Sequence, residues 1–268
     1  MVTRIIVGGL LIAFFAVLLW FGGLFQSIII AIATLISVWE MKRAFKARGV
    51  RVFALPAYVF AAAYVFMFEY FQVTGLVTLM LACVIATLIE SLFNSKRTDV
   101  EAYYALSLYC YPILFYIMLM VVGSIHSYEV SRVALLLLFA APLVGDMFAY
   151  FIGVAIGKHK LCPSISPKKT VEGSIGGLFG SLVGGLLVYF LQGIWGLAIP
   201  YWHLLLVSIG CGVLGQLGDL YASKIKRWAG VKDYGTLFPG HGGVMDRADS
   251  ALMCAPLVLI YFYLMFVA

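Results

Sequence analysis

Long apolar runs, repeated along the whole chain and separated by short polar joints, leave this sequence little choice of architecture. Runs of roughly 17 to 25 residues suit helices that cross the hydrocarbon core of a bilayer, where each helix satisfies its own backbone N–H and C=O groups. About nine such runs can be placed, at roughly 5 to 21, 24 to 41, 52 to 68, 73 to 93, 103 to 122, 133 to 156, 175 to 191, 204 to 222 and 249 to 267. With 64% hydrophobic and 11% charged residues, the chain has no polar exterior to offer water. Nothing alternates with period two for long enough to build a barrel, and there is no internal repeat or low-complexity linker. The fold class is therefore all-α: a polytopic integral membrane protein of about nine transmembrane helices, forming one integral domain over residues 1–268. The first run continues to Phe21 without a small-residue cleavage site, so it is read as a span rather than a signal peptide.

Orientation follows from the basic residues. All but one of the 18 Lys and Arg residues fall at the N-terminus or in the loops after spans two, four, six and eight, and the exception is Arg132. Loops rich in Lys and Arg stay in the cytoplasm, which places the N-terminus inside and the C-terminus outside. The net charge of +6 then belongs to the cytoplasmic face, where it suits anionic headgroups or phosphates. The five cysteines, Cys83, Cys110, Cys162, Cys211 and Cys254, stand singly, without zinc spacing, and read as buried thiols.

Against this background the stretch "SKIKRWAGVKDYGTLFPGHGGVMDRADS", Ser223 to Ser250, is unusual for its crowded charge. Helix eight is expected to run on through "LYASKIKRW" before "AGVKDYG" breaks it. Asp219, Ser223 and Lys226 then share one helical face, with Lys224 and Arg227 on a neighbouring ridge. "FPGHGG" supplies Pro239, Gly240, Gly242 and Gly243, a turn whose bare backbone can approach an anion. "MDRAD" opens the last span with Asp246 and Asp249 three residues apart. An acid in a first helical turn is favoured by the helix dipole, so capping explains one of these aspartates but not both together with Asp219. Acids in membrane helices cost on the order of 2.5 to 3.5 kcal/mol each and need partners. A divalent cation held by hard oxygen ligands is one such partner, and Mg²⁺ beside Lys, Arg and a glycine turn suits phosphoryl chemistry. A salt-bridge network capping two helices is the other.

A second charged stretch, "GDMFAYFIGVAIGKHKLCPSISPKKTVEGSIGG", follows span six. Asp146 stands inside the apolar run, with Tyr150 and Gly153 along its face. Lys168 and Lys169, just ahead of a helix N-terminus, can grip phosphates, and Ser166 and Thr170 can donate to them. Alternatively, Asp146 pairs with a basic neighbour and the lysines only enforce topology. His241 can orient a phosphate or serve as a turn residue. No partner is legible for His126, His159 or His203.

The stretch from Ser223 to Asp249 resembles the signature of the phosphatidate cytidylyltransferases, or CDP-diacylglycerol synthases. Ser223, Lys226, Arg227, Lys232, Asp233, Pro239, His241, Gly242, Gly243, Asp246, Arg247 and Asp249 fill its positions. "GDMFAYFIG", "GKHKL" and "SPKKTVEG" are also similar to segments of that family, so the resemblance runs from Asp146 to Asp249. It does not involve the first five spans. It implies transfer of CMP from CTP to phosphatidic acid with release of pyrophosphate, dependent on Mg²⁺. Residues 131–268 would then be the catalytic half and 1–130 the N-terminal transmembrane helices. Asp219, Asp246 and Asp249 are expected at the metal site, with room for a second cation. Lys226 is expected beside them in catalysis, holding phosphates with Arg227, Lys232 and Arg247. Ser223, Lys224, His241, Gly242 and Gly243 are expected to line the substrate, and Asp146, Lys168 and Lys169 the nucleotide side. CTP, phosphatidic acid and membrane lipids are the expected partners, in the inner membrane of the cell, without nucleic acid and with a homodimer left open. The rivals are a CTP-dependent polyprenol or phytol kinase, which would leave CDP, and, from another class, an ion-coupled transporter. The Asp-Gly…Ala-Arg…Gly…Asp…Asp pattern of the CDP-alcohol phosphotransferases is absent.

Overall fold

The structure, a computed structural model, describes residues 2–94 and 97–267. Ser95 and Lys96, in the joint after the fourth expected span, lie outside the described residues. Among the described residues nine α-helices follow in chain order: α1 (Val2–Phe21), α2 (Gly23–Ala47), α3 (Leu55–Phe93), α4 (Asp99–Leu108), α5 (Leu114–Val122), α6 (Tyr128–Ile156), α7 (Val171–Leu191), α8 (Tyr201–Ala229) and α9 (Met245–Phe266). Among the described residues, seven continuous helical segments are long and apolar enough to cross a membrane, and a shorter apolar helix covers Ile6–Phe21. The third and fourth apolar runs are joined in α3, a helix of 39 residues interrupted at Gln72, whose φ of 53° is not helical. The fifth run is α4 and α5 with a π-helical segment, Tyr109–Ile113, between them.

The joint after α6 is more ordered than a turn. Strands β1 (Lys160–Cys162) and β2 (Ser166–Thr170) pair antiparallel in a two-stranded hairpin, closed by Ile165 N–H donating to Cys162 O at 3.1 Å. The strands are three and five residues long and carry Lys, Ser and Pro, with no β-branched or aromatic residue besides Thr170, which is why the residue pattern gives no strand signal. Two helix ends are closed by Schellman motifs. At α8, Gly230 sits at φ 72°, its N–H donates to Arg227 O, and Val231 N–H reaches back to Lys226 O at 3.0 Å. Gly49 (φ 88°) and Val50 do the same at the end of α2.

The chain forms two compact units. The first comprises Met1–Phe15, Leu24–Ile117 and Lys226–Arg247, and the second Ala16–Gly23, Met118–Ile225 and Ala248–Ala268. Inside the first, buried polar side chains pair across helices, as Ser37 Oγ with Tyr116 OH at 2.7 Å and Thr34 Oγ1 with Tyr64 OH at 3.1 Å. In the second, small residues let α6 and α7 approach closely: a Cβ at Gly184 would lie 2.8 Å from Ala140 O. Cys83, Cys211 and Cys254 are buried, but Cys110 is exposed and Cys162 half-exposed, so the expectation of buried thiols fails for two of five. Cys110 lies within an apolar run, but on a face that packing leaves open.

Candidate functional site

In the first unit, the last turn of α8 is fixed by aromatic packing. Trp228 stacks on Tyr104 at 5.0 Å and meets Phe45 edge-on at 6.1 Å, while the Arg48 guanidinium lies 6.0 Å above the Trp228 ring. That turn carries Lys226, whose Nζ donates to Asp246 Oδ1 at 2.7 Å. The pair is largely shielded, with side chains 12% and 2% exposed. The other oxygen of Asp246 accepts from Tyr234 N–H at 2.8 Å and from Gly243 N–H at 3.0 Å. One carboxylate therefore closes the signature loop on itself and neutralises a lysine.

Asp246 sits in the first turn of α9 and pairs with Lys226 in the last turn of α8, as the salt-bridge reading expects, but the amides at the start of α9 go elsewhere. The first amides of that helix, Val244 and Met245, donate instead to Glu40 of α2, at 3.0 and 2.8 Å. Glu40 is fully buried, and the sequence reasoning missed it. A carboxylate near the end of an apolar run was the available signal, but its partners are backbone groups, which residue identities do not advertise.

The loop between α8 and α9 surrounds a cavity of about 570 Å³ lined by Lys232, Asp233, Gly235, Thr236, Phe238, Pro239, Gly240, His241, Gly242 and Arg247. Phe238 and Gly242 exchange backbone hydrogen bonds of 2.9 and 3.1 Å. The tight turn between them requires φ of 77° at Gly240 and 86° at Gly242, a region glycine enters without steric cost. His241 presents a buried Nδ1 without a hydrogen-bond partner. Two exposed cations, Lys232 and Arg247, thus line the cavity and outnumber its one carboxylate, Asp233, a setting suited to an anion.

The second unit holds a cavity of about 480 Å³ whose lining includes Asp146, Tyr150, Gly153, Lys160, Lys168, Lys169, Thr170, Gln216 and Asp219. Lys169 Nζ pairs with Asp219 Oδ2 at 2.5 Å, and Ser223 Oγ approaches Asp219 Oδ1 at 3.5 Å. Thr170 caps α7, accepting from Gly173 N–H at 3.1 Å, which sets Lys168 and Lys169 directly ahead of the helix. Gln216, also missed by sequence reasoning, bonds to Ser174 through Nε2 to O at 3.1 Å and through Oε1 to the Ser174 hydroxyl. Asp249 is buried in this unit, and its Oδ1 accepts from Ser250 N–H at 2.8 Å. Lys224 and Arg227 are exposed on α8.

Among the described residues, no group of three or more His, Cys, Asp or Glu side chains is disposed to hold a metal ion. Asp246 belongs to the first unit, Asp219 and Asp249 to the second, and ammonium groups stand against Asp246 and Asp219. The donors nevertheless fit a hard divalent cation in kind: carboxylate oxygens, with no thiol lining either cavity. Three histidines without a legible partner have neighbours after all. His159 Nδ1 meets Glu172 at 2.6 Å, His203 Nδ1 meets Tyr261 OH at 2.6 Å, and the His126 ring stacks near Phe266.

Comparison with known proteins adds a separate line of support. A family model described as "Cytidylyltransferase family" matches residues 2–265. The chain is 50% identical over 119 residues to a phosphatidate cytidylyltransferase of Bacillus subtilis (strain 168), covering 44% of this chain and 42% of that protein. It is 43% identical over 142 residues to one from a Synechocystis species, covering 52% and 46%. A third, from Staphylococcus aureus (strain COL), is 44% identical over 143 residues, covering 52% and 54%. The matched region spans about half the length of these curated relatives.

Proposed function

Because the chain belongs to the cytidylyltransferase family, we propose that it is a membrane-embedded phosphatidate cytidylyltransferase. It would transfer CMP from CTP to phosphatidic acid, giving CDP-diacylglycerol and pyrophosphate for phospholipid synthesis. The observation that carries this reading is the loop closed on Asp246 around a cavity faced by Lys232 and Arg247, because its residues are those of the signature.

In this reading a phosphate oxygen of phosphatidic acid attacks the α-phosphorus of CTP. A new P–O bond forms, the bond to the bridging β-phosphate oxygen breaks, and pyrophosphate leaves with its electron pair. The nucleophile is already anionic near neutral pH, so the protein's main task is to bring two anions together and hold them in line. Lys232 and Arg247 bind phosphate oxygens on the loop side, with His241 orienting them and the side-chain-free Gly242–Gly243 turn letting them approach, while Lys226, which does not line that cavity, is held by Asp246. Lys168 and Lys169, ahead of α7, hold the nucleotide side, with Asp146 in the same cavity. Asp246 in the first unit, and Asp219 and Asp249 in the second, are the hard oxygen donors this reading assigns to Mg²⁺, and when bound the metal would supply charge neutralisation at the phosphates. CTP arrives from the cytoplasm and the lipid from within the inner membrane.

The test is incubation of the purified protein with labelled CTP, phosphatidic acid and Mg²⁺. CDP-diacylglycerol and pyrophosphate in equal amounts are expected, whereas release of CDP would assign the kinase reaction instead. Chelation with EDTA should abolish turnover and Mg²⁺ restore it; full activity in chelator would remove the cation from the mechanism.

A further inference from the structure

Glu40 lies outside the stretch that carries the signature, on an apolar helix to which the sequence assigns no role. It is nevertheless the group on which the start of α9 rests. Its two oxygens each accept one amide, Val244 N–H at 3.0 Å and Met245 N–H at 2.8 Å, while Asp246 takes the amides of Tyr234 and Gly243. Two neighbouring carboxylates thus hold four backbone donors of one loop. Asp246 ties the loop to itself and to Lys226, and Glu40 ties it to α2.

The fit around Glu40 is close. A Cβ at Gly235 or at Gly243 would run into its carboxylate. Gly243 does not have a positive φ, so the requirement for glycine there comes from the approach of Glu40 and not from backbone conformation. Burying a carboxylate is costly unless it is fully hydrogen-bonded, and a group that served only as lipid-facing or topological charge would not be shielded in this way.

We propose that Glu40 is a positioning residue for the cytidylyltransferase reaction: by holding the Val244 and Met245 amides it sets the orientation of Asp246 and Lys226 and the shape of the cavity faced by Lys232, His241 and Arg247. The proposal rests on the function proposed above. Glu40 itself touches no substrate. Its carboxylate is required because both partners are donors, and an amide in its place would present an NH₂ group to one of them.

The experiment uses the full chain in lipid nanodiscs and compares wild type with Glu40→Gln. Hydrogen–deuterium exchange at Val244 and Met245 should accelerate about tenfold or more, while the Gly173 amide, bonded to Thr170 in the second unit, keeps its wild-type rate. Normalised to folded protein, kcat should fall by roughly 10- to 100-fold with the KM for CTP held within about threefold. Unchanged exchange would overturn the anchoring, and faster exchange with an unchanged kcat would overturn the positioning role. If Glu40→Gln does not fold, Gly235→Ala, which crowds the same carboxylate, should give the same local exchange and the same loss of kcat. A Gly235→Ala protein indistinguishable from wild type would equally overturn the proposal. Failure of the underlying reading shows differently: wild type itself would make no CDP-diacylglycerol, which would remove the catalytic role whatever the exchange rates.

Discussion

Lys226 and Asp246 are ion-pair partners, and this changes what a substitution at Asp246 should do. Asparagine would remove the charge facing a shielded ammonium and set an NH₂ group toward the amides of Tyr234 and Gly243. Breaking a buried pair by removing one partner costs about 3 to 5 kcal/mol, so Asp246→Asn should lower thermal stability measurably as well as turnover. Asp233→Asn, at an exposed neighbouring position, should melt within about 0.5 kcal/mol of wild type. Equal melting of the two variants would show that the Lys226–Asp246 pair contributes nothing to the fold. The sequence made this aspartate conspicuous because acids are rare in a chain so apolar. It could not distinguish capping from pairing, since that depends on which amides the loop turns inward. Glu40 shows the same limit: its partners lie some 200 positions away and are backbone groups.

At the scale of elements, the presence of most helices was readable, some of their ends were, and their mutual contacts were not. The end of α8 at Ala229 follows from the glycine after it, and the start of α9 from "MDRAD", because local turn chemistry decides both. The β1–β2 hairpin was hidden because its strands are only three and five residues long and carry Lys, Ser and Pro, with no β-branched or aromatic residue besides Thr170, whereas the break at Gln72 falls between the third and fourth runs, where hydropathy had marked it. The close approach of α6 and α7 depends on glycines that the apolar count treats as filler. Gly184→Val should therefore destabilise the protein by roughly 1 to 3 kcal/mol through overpacking. Gly193→Ala, where a Cβ would meet nothing within 4 Å, should change stability by less than about 0.5 kcal/mol. Thermal melts of both variants in detergent, followed by size-exclusion chromatography, would compare them. A Gly184→Val protein as stable as the Gly193→Ala control would mean that the two helices have room the structure does not show.

For the whole molecule, each compact unit carries a charged cavity, and the orientation proposed from the distribution of Lys and Arg would put the loop between α8 and α9 in the cytoplasm. Helix α2 supports one part of that arrangement within the first unit: Glu40, near its C-terminal end, meets Met245 at the start of α9, as helices do when those ends lie at the same face of a bilayer. Which face it is can be decided by labelling. Tyr234 is a poor reporter, being buried with its N–H held by Asp246, whereas Thr236 is exposed in the same loop and Ser124 is exposed in the joint between α5 and α6. With Cys110 and Cys162 replaced by serine to remove the two accessible native thiols, Thr236→Cys should react with a membrane-impermeant maleimide only after cells are opened. Ser124→Cys should react in intact cells once the outer barrier is passed. The reverse pattern would invert the protein, placing the lysines and arginines outside and cutting the proposed CTP site off from the cytoplasmic nucleotide supply. Labelling of both positions in intact cells would instead mean that an odd number of the apolar runs between them fails to cross, and α3, with its break at Gln72, would be excluded as the cause because it precedes both.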